Sequence, residues 1–420
     1  MSAFPVDQND LARALRPWVG SASIEGLAPM SGGASREIWA FDAVDAAGTR
    51  TELVLRRDPP GRPGEPGAID REARAISLVA AEGLCVPELI MVSDGAGLGT
   101  AGMVMRRVHG ETIARRILRD ETYRQARGVL VGQLAEFAAR LHSLEAPADF
   151  PGIDPVSDLQ ATLATFEEYS PIFDLALREL ATSQPPPRGP VLVHGDLRLG
   201  NIVVGPEGLR AVLDWELAHA GNPAEDLGWL CVKAWRFGAV APVAGFGTRE
   251  DLLAAYRAAG GAEISIDELR WWEIFGTLRW GVICMTQAHA HLTGAHRSVE
   301  LAAIGRRVCE QEWDLLLLLE PEAAALAAAR RPRPNGSPQS APAPHGRPTS
   351  SELLDAVRGF LTDQVMPATS GQLAFHARVA ANVLGMVARE LELGPLPPTM
   401  GFADSVAARL AVANPRYFEA

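Results

Sequence analysis

The chain has 420 residues, a formal net charge of −12 and 47% hydrophobic residues, with a mean hydropathy of +0.04. That balance describes a folded chain with a sizeable core, long enough for roughly two or three domains. Its acidity argues against nucleic acid or an anionic membrane as a general partner.

No apolar run approaches the roughly 18 residues that a membrane span needs. The opening residues, MSAFPVDQND, lack the basic-then-apolar pattern of a secretory signal. Cys85, Cys231, Cys284 and Cys309 form no CxxC pair, so neither a disulfide framework nor a zinc cluster is expected. The expected compartment is a reducing cytoplasm.

In chain order, SIEGLAPM, REIWAFDAV and TELVLRR read as strands, the first two separated by SGGAS. AIDREARAISLVAAEGL reads as a helix, and ELIMVSD and AGMVMRRV as two more strands. From Glu111 to Glu320 the pattern is mainly helical, in VGQLAEFAARLHSLE, DLALRELATS and WWEIFGTLRWGVICMTQAHA. A strand pair interrupts it in VLVHGDLRLGNIVVGPEGLRAVLDWE, residues 191–216. ARRPRPNGSPQSAPAPHGRPTS has linker composition, and ELLDAVRGFLTDQVM and LAFHARVAANVLGMVAREL carry helical spacing beyond it. The expected organisation is α+β: a strand-rich unit over 1–108, a helical unit over 109–328, a linker over 329–348 and a small all-α appendage over 349–420.

The 191–216 stretch places Asp196, Asn201 and Asp214 at strand ends. The GPEG turn makes IVVGPEGLRAVLD a hairpin, which returns Asp214 to the rim that holds Asp196 and Asn201. Asp and Asn offer the hard oxygen ligands that magnesium prefers, and phosphoryl transfer needs such ligands beside an acceptor for the nucleophile's proton. HGD alone reads as a turn by default; three such positions in this order do not.

HGDLRLGN and LDWE, with the hairpin between them, resemble the aminoglycoside phosphotransferase-like branch of the protein-kinase-like superfamily. The resemblance implies a bilobal fold, ATP and Mg2+. It implies Asp196 as acceptor of the substrate hydroxyl proton, and Asn201 and Asp214 as magnesium ligands. SGGAS then reads as a loop over the nucleotide phosphates through Ser31, Gly32, Gly33 and Ser35, although a Gly-Gly hairpin turn accounts for it too. Alternation in LVLRR puts Val54 and Arg56 on one face, with Leu53 and Leu55 on the other. In the following helix Ile69, Ala73, Ile76 and Ala80 have core spacing, and Glu72 lies on that side. A carboxylate bordering an apolar stripe needs a partner. Arg56 is one candidate; Arg71 and Arg74 on the helix surface are the alternative. Arg106–Val108, after the strand AGMVM, correspond to the linker whose backbone meets adenine. Most kinases carry lysine where Arg56 stands, which puts the exact role of Arg56 in question.

VLRRDPPG, HGDLRLGN and LDWELAHAGNPAEDLGWL look most like the kinase portion associated with acyl-CoA dehydrogenases. That implies a small-molecule hydroxyl substrate, with a hydroxyacyl-CoA as the reading and an aminoglycoside or amino alcohol as alternatives. It also implies an acyl-CoA dehydrogenase as partner. Arg270, Arg279, His289, His291, His296, Arg297, Arg306 and Arg307 add a local cationic balance that suits an anionic substrate. The final segment resembles a short helical family found beside such kinases. A pseudokinase or scaffold, and a metal-dependent hydrolase, are the competing classes; the intact triad disfavours the first and the lack of a His-rich set the second. His194 and Asp226 are expected to brace the loop, and His142 to be structural.

Overall fold

The computed structural model describes residues 6–30, 36–60, 64–152, 154–166, 168, 170–296, 298–331 and 350–419. Helix α1 (Gln8–Val19) begins at Asp7, whose carboxylate accepts from the amides of Asn9 and Asp10. It precedes β1 (Ala22–Pro29), β2 (Glu37–Asp45) and β3 (Arg50–Arg57). Helix α2 (Ala68–Ala81), β4 (Leu89–Ser93) and β5 (Gly102–Arg106) follow. The five strands form one antiparallel sheet in the order β1-β2-β3-β5-β4.

Period-two alternation gives this sheet two different faces. Leu53 and Leu55 join Phe41 and Val104 under Leu11 and Leu15 of α1. Each such side chain stabilises the unit by roughly 1.5–3 kcal/mol. Arg56 takes the opposite face, toward α2. In α2, Ile69, Ala73 and Ile76 are buried as their spacing predicts, together with Glu72. Ala80 is exposed, contrary to expectation, and Val79 is buried instead. A step of three residues from Ile76 holds the helix face as well as a step of four.

The remainder is mainly helical. Helices α3 (Ala114–Arg119), α4 (Arg124–Leu141), α5 (Pro155–Leu163) and α6 (Pro171–Thr182) lead to β6 (Val191–Val193). The hairpin β7 (Ile202–Gly205) and β8 (Gly208–Val212) follows, with Ile202 paired to Val212. β9 (His219–Gly221) pairs with β6. Then come α7 (Pro223–Cys231), α8 (Arg249–Ala258), α9 (Ile266–Leu292), α10 (Val299–Gly305), α11 (Val308–Leu319) and α12 (Pro321–Arg330). Trp271 and Trp272 of α9 lie in the main core. At Gly228 of α7 a Cβ would fall 2.4 Å from the Trp272 Cβ, so the α7–α9 crossing depends on glycine there.

Beyond 349 the chain forms α13 (Ser350–Phe360), α14 (Met366–Ala368), α15 (Gly371–Leu393) and α16 (Phe402–Ala413). The sequence reading does not anticipate α16. Its Val406, Ala407 and Leu410 belong to the same core cluster as Trp313 and Leu316 of α11. This segment therefore docks on the helical body. Leu353, Val357 and Phe360 of α13 stay exposed. Among the described residues, no helix is long and apolar enough to cross a membrane.

Candidate active site

The loop after β6 is built around Asp226, on the first turn of α7. This fully buried carboxylate accepts from the His194 amide at 2.8 Å and the Gly195 amide at 2.9 Å. His142 Nε2 lies 3.1 Å from it, and His142 Nδ1 lies 2.9 Å from the Tyr256 hydroxyl. Burial alone would raise the Asp226 carboxyl; the hydrogen bond and charge of His142, with those of His194, hold it down at about 2. Gly195 has φ 76°, and a Cβ there would meet the Leu217 carbonyl oxygen at 2.4 Å, so HGD needs its glycine. His194 donates from Nε2 to the Leu213 carbonyl at 2.9 Å and accepts from the Asp196 amide at 3.1 Å, which fixes its tautomer. His142, His194 and Asp226 are therefore struts of the loop.

The loop presents Asp196 with both oxygens engaged. Oδ1 accepts from Arg198 Nε at 2.9 Å and Trp229 Nε1 at 2.7 Å. Oδ2 accepts from Asn201 Nδ2 at 2.5 Å, and the same amide nitrogen lies 3.0 Å from the Asp196 carbonyl. Using its nitrogen this way leaves the Asn201 carbonyl oxygen for another ligand. Asp214 follows the hairpin with φ 66°, a left-handed backbone rare outside glycine and stored most often at functional sites.

Arg56 connects the sheet to this rim. One terminal nitrogen bonds Glu72; the other donates to Asp214 Oδ1 at 2.5 Å and to Glu216 Oε2 at 2.9 Å. Glu72 also bonds Arg36, which lies 3.3 Å from Asp58. Burial pushes the Glu72 carboxyl up to about 6 against the pull of Arg56 and Arg36. Arg71 and Arg74 pair instead with Glu65 and Asp149. Glu72 thus takes Arg56, and the surface alternative falls. A guanidinium can reach three carboxylates in this way, which a lysine ammonium on one stem does with less geometric definition.

The sequence reading misses Arg36, Glu216, Arg198 and Trp229. Arg36 and Glu216 sit at the ends of motifs, REIWAFDAV and LDWE, where nothing marks them as partners of Glu72 and Arg56. Trp229 shares a tilted stack with Trp235 (5.3 Å between centroids), and Trp235 another with Trp280 (4.8 Å). Arg198, Arg279 and Arg307 lie over Trp235, Trp229 and Trp280 respectively. Trp280 is half-buried in this stack. Several of the expected cations are already paired: Arg279 with Glu225, Arg306 with Glu390, and Arg307 with Glu310. Arg270 donates to the Leu318 carbonyl, and Arg297 lies outside the described residues.

The other expected positions are placed as follows. Ser31, Gly32, Gly33 and Ser35 lie outside the described residues. Val54 is half-buried on the Arg56 face of β3. Arg106 ends β5, with its side chain on Glu88 at 2.6 Å and its amide on the Glu88 carbonyl at 2.8 Å. Val108 follows in irregular backbone. Among the described residues, no group of three or more His, Cys, Asp or Glu residues could hold a metal ion. Asn201 and Asp214 would instead offer a carbonyl oxygen and a carboxylate. That set suits Mg2+, which keeps its waters and takes few protein oxygens beside substrate phosphates.

The phosphotransferase enzyme family model matches residues 26–272, and a domain of unknown function (DUF6285) matches residues 367–399. Acyl-CoA dehydrogenase family member 11 of Gallus gallus is 34% identical over 196 residues, 42% of this chain and 24% of that protein. Acyl-CoA dehydrogenase family member 10 of Mus musculus is 27% identical over 200 residues, 43% of this chain and 18% of that protein. The chain therefore matches about a quarter or less of the length of these relatives. A candidate aminoglycoside phosphotransferase from Ralstonia eutropha JMP134 shares the fold, with TM-score 0.55 and 22% identity over 74% of this chain and 98% of that one. A choline/ethanolamine kinase family protein from Mesorhizobium loti gives TM-score 0.51 and 21% identity over 75% and 96%.

Proposed function

The chain belongs to the phosphotransferase enzyme family, and we propose that it moves the γ-phosphoryl group of ATP onto the hydroxyl of a small molecule. The observation that carries this reading is the pinned Asp196 carboxylate beside Asn201, with Asp214, Arg56 and Glu72 tied into the same rim. Phosphoryl transfer asks mainly for positioning and charge, and these residues divide that work. Asp196, held by Arg198, Trp229 and Asn201, orients the acceptor hydroxyl and takes its proton. Arg56, itself oriented by Glu72, faces the nucleotide phosphates. Asn201 and Asp214 would hold Mg2+, which supplies charge neutralisation across the phosphates. The main-chain groups of residues 106–108 would meet the base, and Ser31, Gly32, Gly33 and Ser35 would cover the phosphates.

A hydroxyacyl-CoA is the acceptor we favour. The names of the acyl-CoA dehydrogenase relatives support it. The test is phosphorus NMR of Mg-ATP with hydroxyacyl-CoAs, aminoglycosides and amino alcohols in turn. A new phosphomonoester resonance with a hydroxyacyl-CoA, absent with the Asp196→Asn protein, is the expected result. A phosphomonoester formed only with an aminoglycoside or amino alcohol would replace the acceptor. No phosphomonoester with any of them would contradict the transfer reading.

A further inference from the structure

Two donors meet on one oxygen of Asp196. Trp229 Nε1 donates to Oδ1 at 2.7 Å, and Arg198 Nε donates to it at 2.9 Å. They come from different parts of the chain, Trp229 from α7 and Arg198 from the loop after β6. Both rest on Trp235. Trp229 meets its ring in a tilted stack with centroids 5.3 Å apart, and the Arg198 guanidinium lies 4.5 Å from its centroid. Tilted aromatic pairs and a guanidinium over an indole face are attractive contacts with a preferred geometry. One ring thus supports both donors of the same carboxylate oxygen.

Trp235 is itself firmly held. It lies in the short turn Lys233–Arg236 and is 4% exposed. Arg236 fastens that turn, donating to the Cys231 carbonyl at 2.6 Å and to Glu273 of α9 at 2.9 Å. Trp280 of α9 stacks on the Trp235 ring with centroids 4.8 Å apart. Among the described residues, Trp235 Nε1 has no hydrogen-bond partner. Buried indoles ordinarily find one; here the contacts that bear on Asp196 are made by the ring and not by the N–H.

From this arrangement we propose that Trp235 is a positioning residue for phosphoryl transfer, orienting Asp196 through Trp229 and Arg198 without touching the reacting atoms. The inference rests on the transfer reading above and adds a residue to it. A catalytic carboxylate that loses its supports loses alignment with the acceptor hydroxyl, and rate falls with alignment. The nucleotide contacts assigned to Arg56, Asn201 and Asp214 do not pass through Trp235, so nucleotide affinity stays.

The test pairs two readouts on the full chain. The first is solvent exchange of the Trp229 indole hydrogen, followed by NMR with isotope-labelled tryptophan and identified by its loss in Trp229→Phe. Exchange should quicken in Asp196→Ala, which removes the acceptor, and likewise in Trp235→Leu. It should change much less in Trp235→Phe, which keeps a ring face. The second readout is turnover with Mg-ATP and whichever of the three acceptor classes the parent phosphorylates. In Trp235→Leu, kcat should fall by about 10–100-fold with calorimetric Mg-ATP affinity unchanged, and Trp235→Phe should recover most of that rate. A merely structural tryptophan would not separate kcat from nucleotide affinity in this way. Thermal melts confirm that folded chains are compared, and Trp235→Met, nearer in volume, decides if Trp235→Leu does not fold. Parent-like exchange or parent-like kcat in the folded ringless variants would overturn the role of Trp235. So would a Trp235→Phe chain no faster than Trp235→Leu. A parent that phosphorylates none of the acceptors would instead overturn the transfer reading, while the exchange of Trp229 would still report whether Trp235 holds it on Asp196.

Discussion

Asp226 shows most clearly how one residue sets the geometry of the site. It touches no reacting atom in this account, yet it fixes the amides of His194 and Gly195 and, through them, the direction of Asp196. Its carboxyl is held at about 2, below the ordinary 3.8. A depressed carboxylate stabilises the fold fully above pH 3.8, and that contribution is lost as pH falls through about 2. The difference is worth roughly 2 kcal/mol. Asp226→Asn should cost about 2–4 kcal/mol at pH 7, because one amide oxygen cannot replace two carboxylate acceptors. It should also flatten the stability curve between pH 4 and 2. Urea unfolding across that range measures both effects, and a variant with the parent's pH dependence would show that Asp226 is not the group responsible. The sequence makes Asp196, Asn201, Asp214, Arg56 and Glu72 legible because their types and order are distinctive. Arg36, Glu216 and Trp229 are not, since each acquires its role only from a partner remote in the chain.

At the scale of elements, period and turn chemistry carry most of the reading. The five sheet strands, α2 and the β7–β8 hairpin stand where alternation, helical spacing and GPEG put them. Helix α16 escapes because Val406–Ala413 is buried except at Arg409 and leaves no polar stripe to reveal a helical period. Crossings are also invisible before folding. Gly228 reads as an ordinary helix-weakening residue, yet α9 approaches there so closely that Gly228→Ala must move Trp272 or the α7 backbone. Overpacking of this kind costs about 1–3 kcal/mol. Because α7 also carries Asp226 and Trp229, the variant should lose transfer rate as well as stability. Parent-like values in both a thermal melt and a turnover assay would contradict the close packing at this crossing.

For the whole molecule, the C-terminal segment is bound to the helical body by more than the apolar face of α16. Asn414 donates to Glu310, Tyr417 to Asp314, and Arg409 pairs with Glu312. Burial pushes the Asp314 carboxyl up to about 6 against the pull of Lys233 and the Tyr417 hydroxyl. Lys233 also sits over the Tyr417 ring, in the same short turn as Trp235. Removing residues 402–420 strips partners from three buried acids and uncovers Trp313. Chains ending at 401 should therefore melt at lower temperature and aggregate more readily, while still binding Mg-ATP. An unchanged melting temperature would mean that α16 contributes nothing to the body. The sequence supplies the helical spacing of this segment but not its docking, because a small-residue helix carries no mark of the surface it will cover.

The division of labour between Asp196 and Asp214 is the centre of the account, and calorimetric titration of Mg-ATP into Asp196→Asn and Asp214→Asn, paired with turnover of the same samples, tests it most directly. Asp196→Asn should bind Mg-ATP like the parent while transfer falls by about 10²–10⁴-fold. Asp214→Asn should lose Mg-ATP affinity itself, because a formal charge leaves the metal site. Lost affinity in Asp196→Asn together with parent-like affinity in Asp214→Asn would contradict the assignment of both carboxylates.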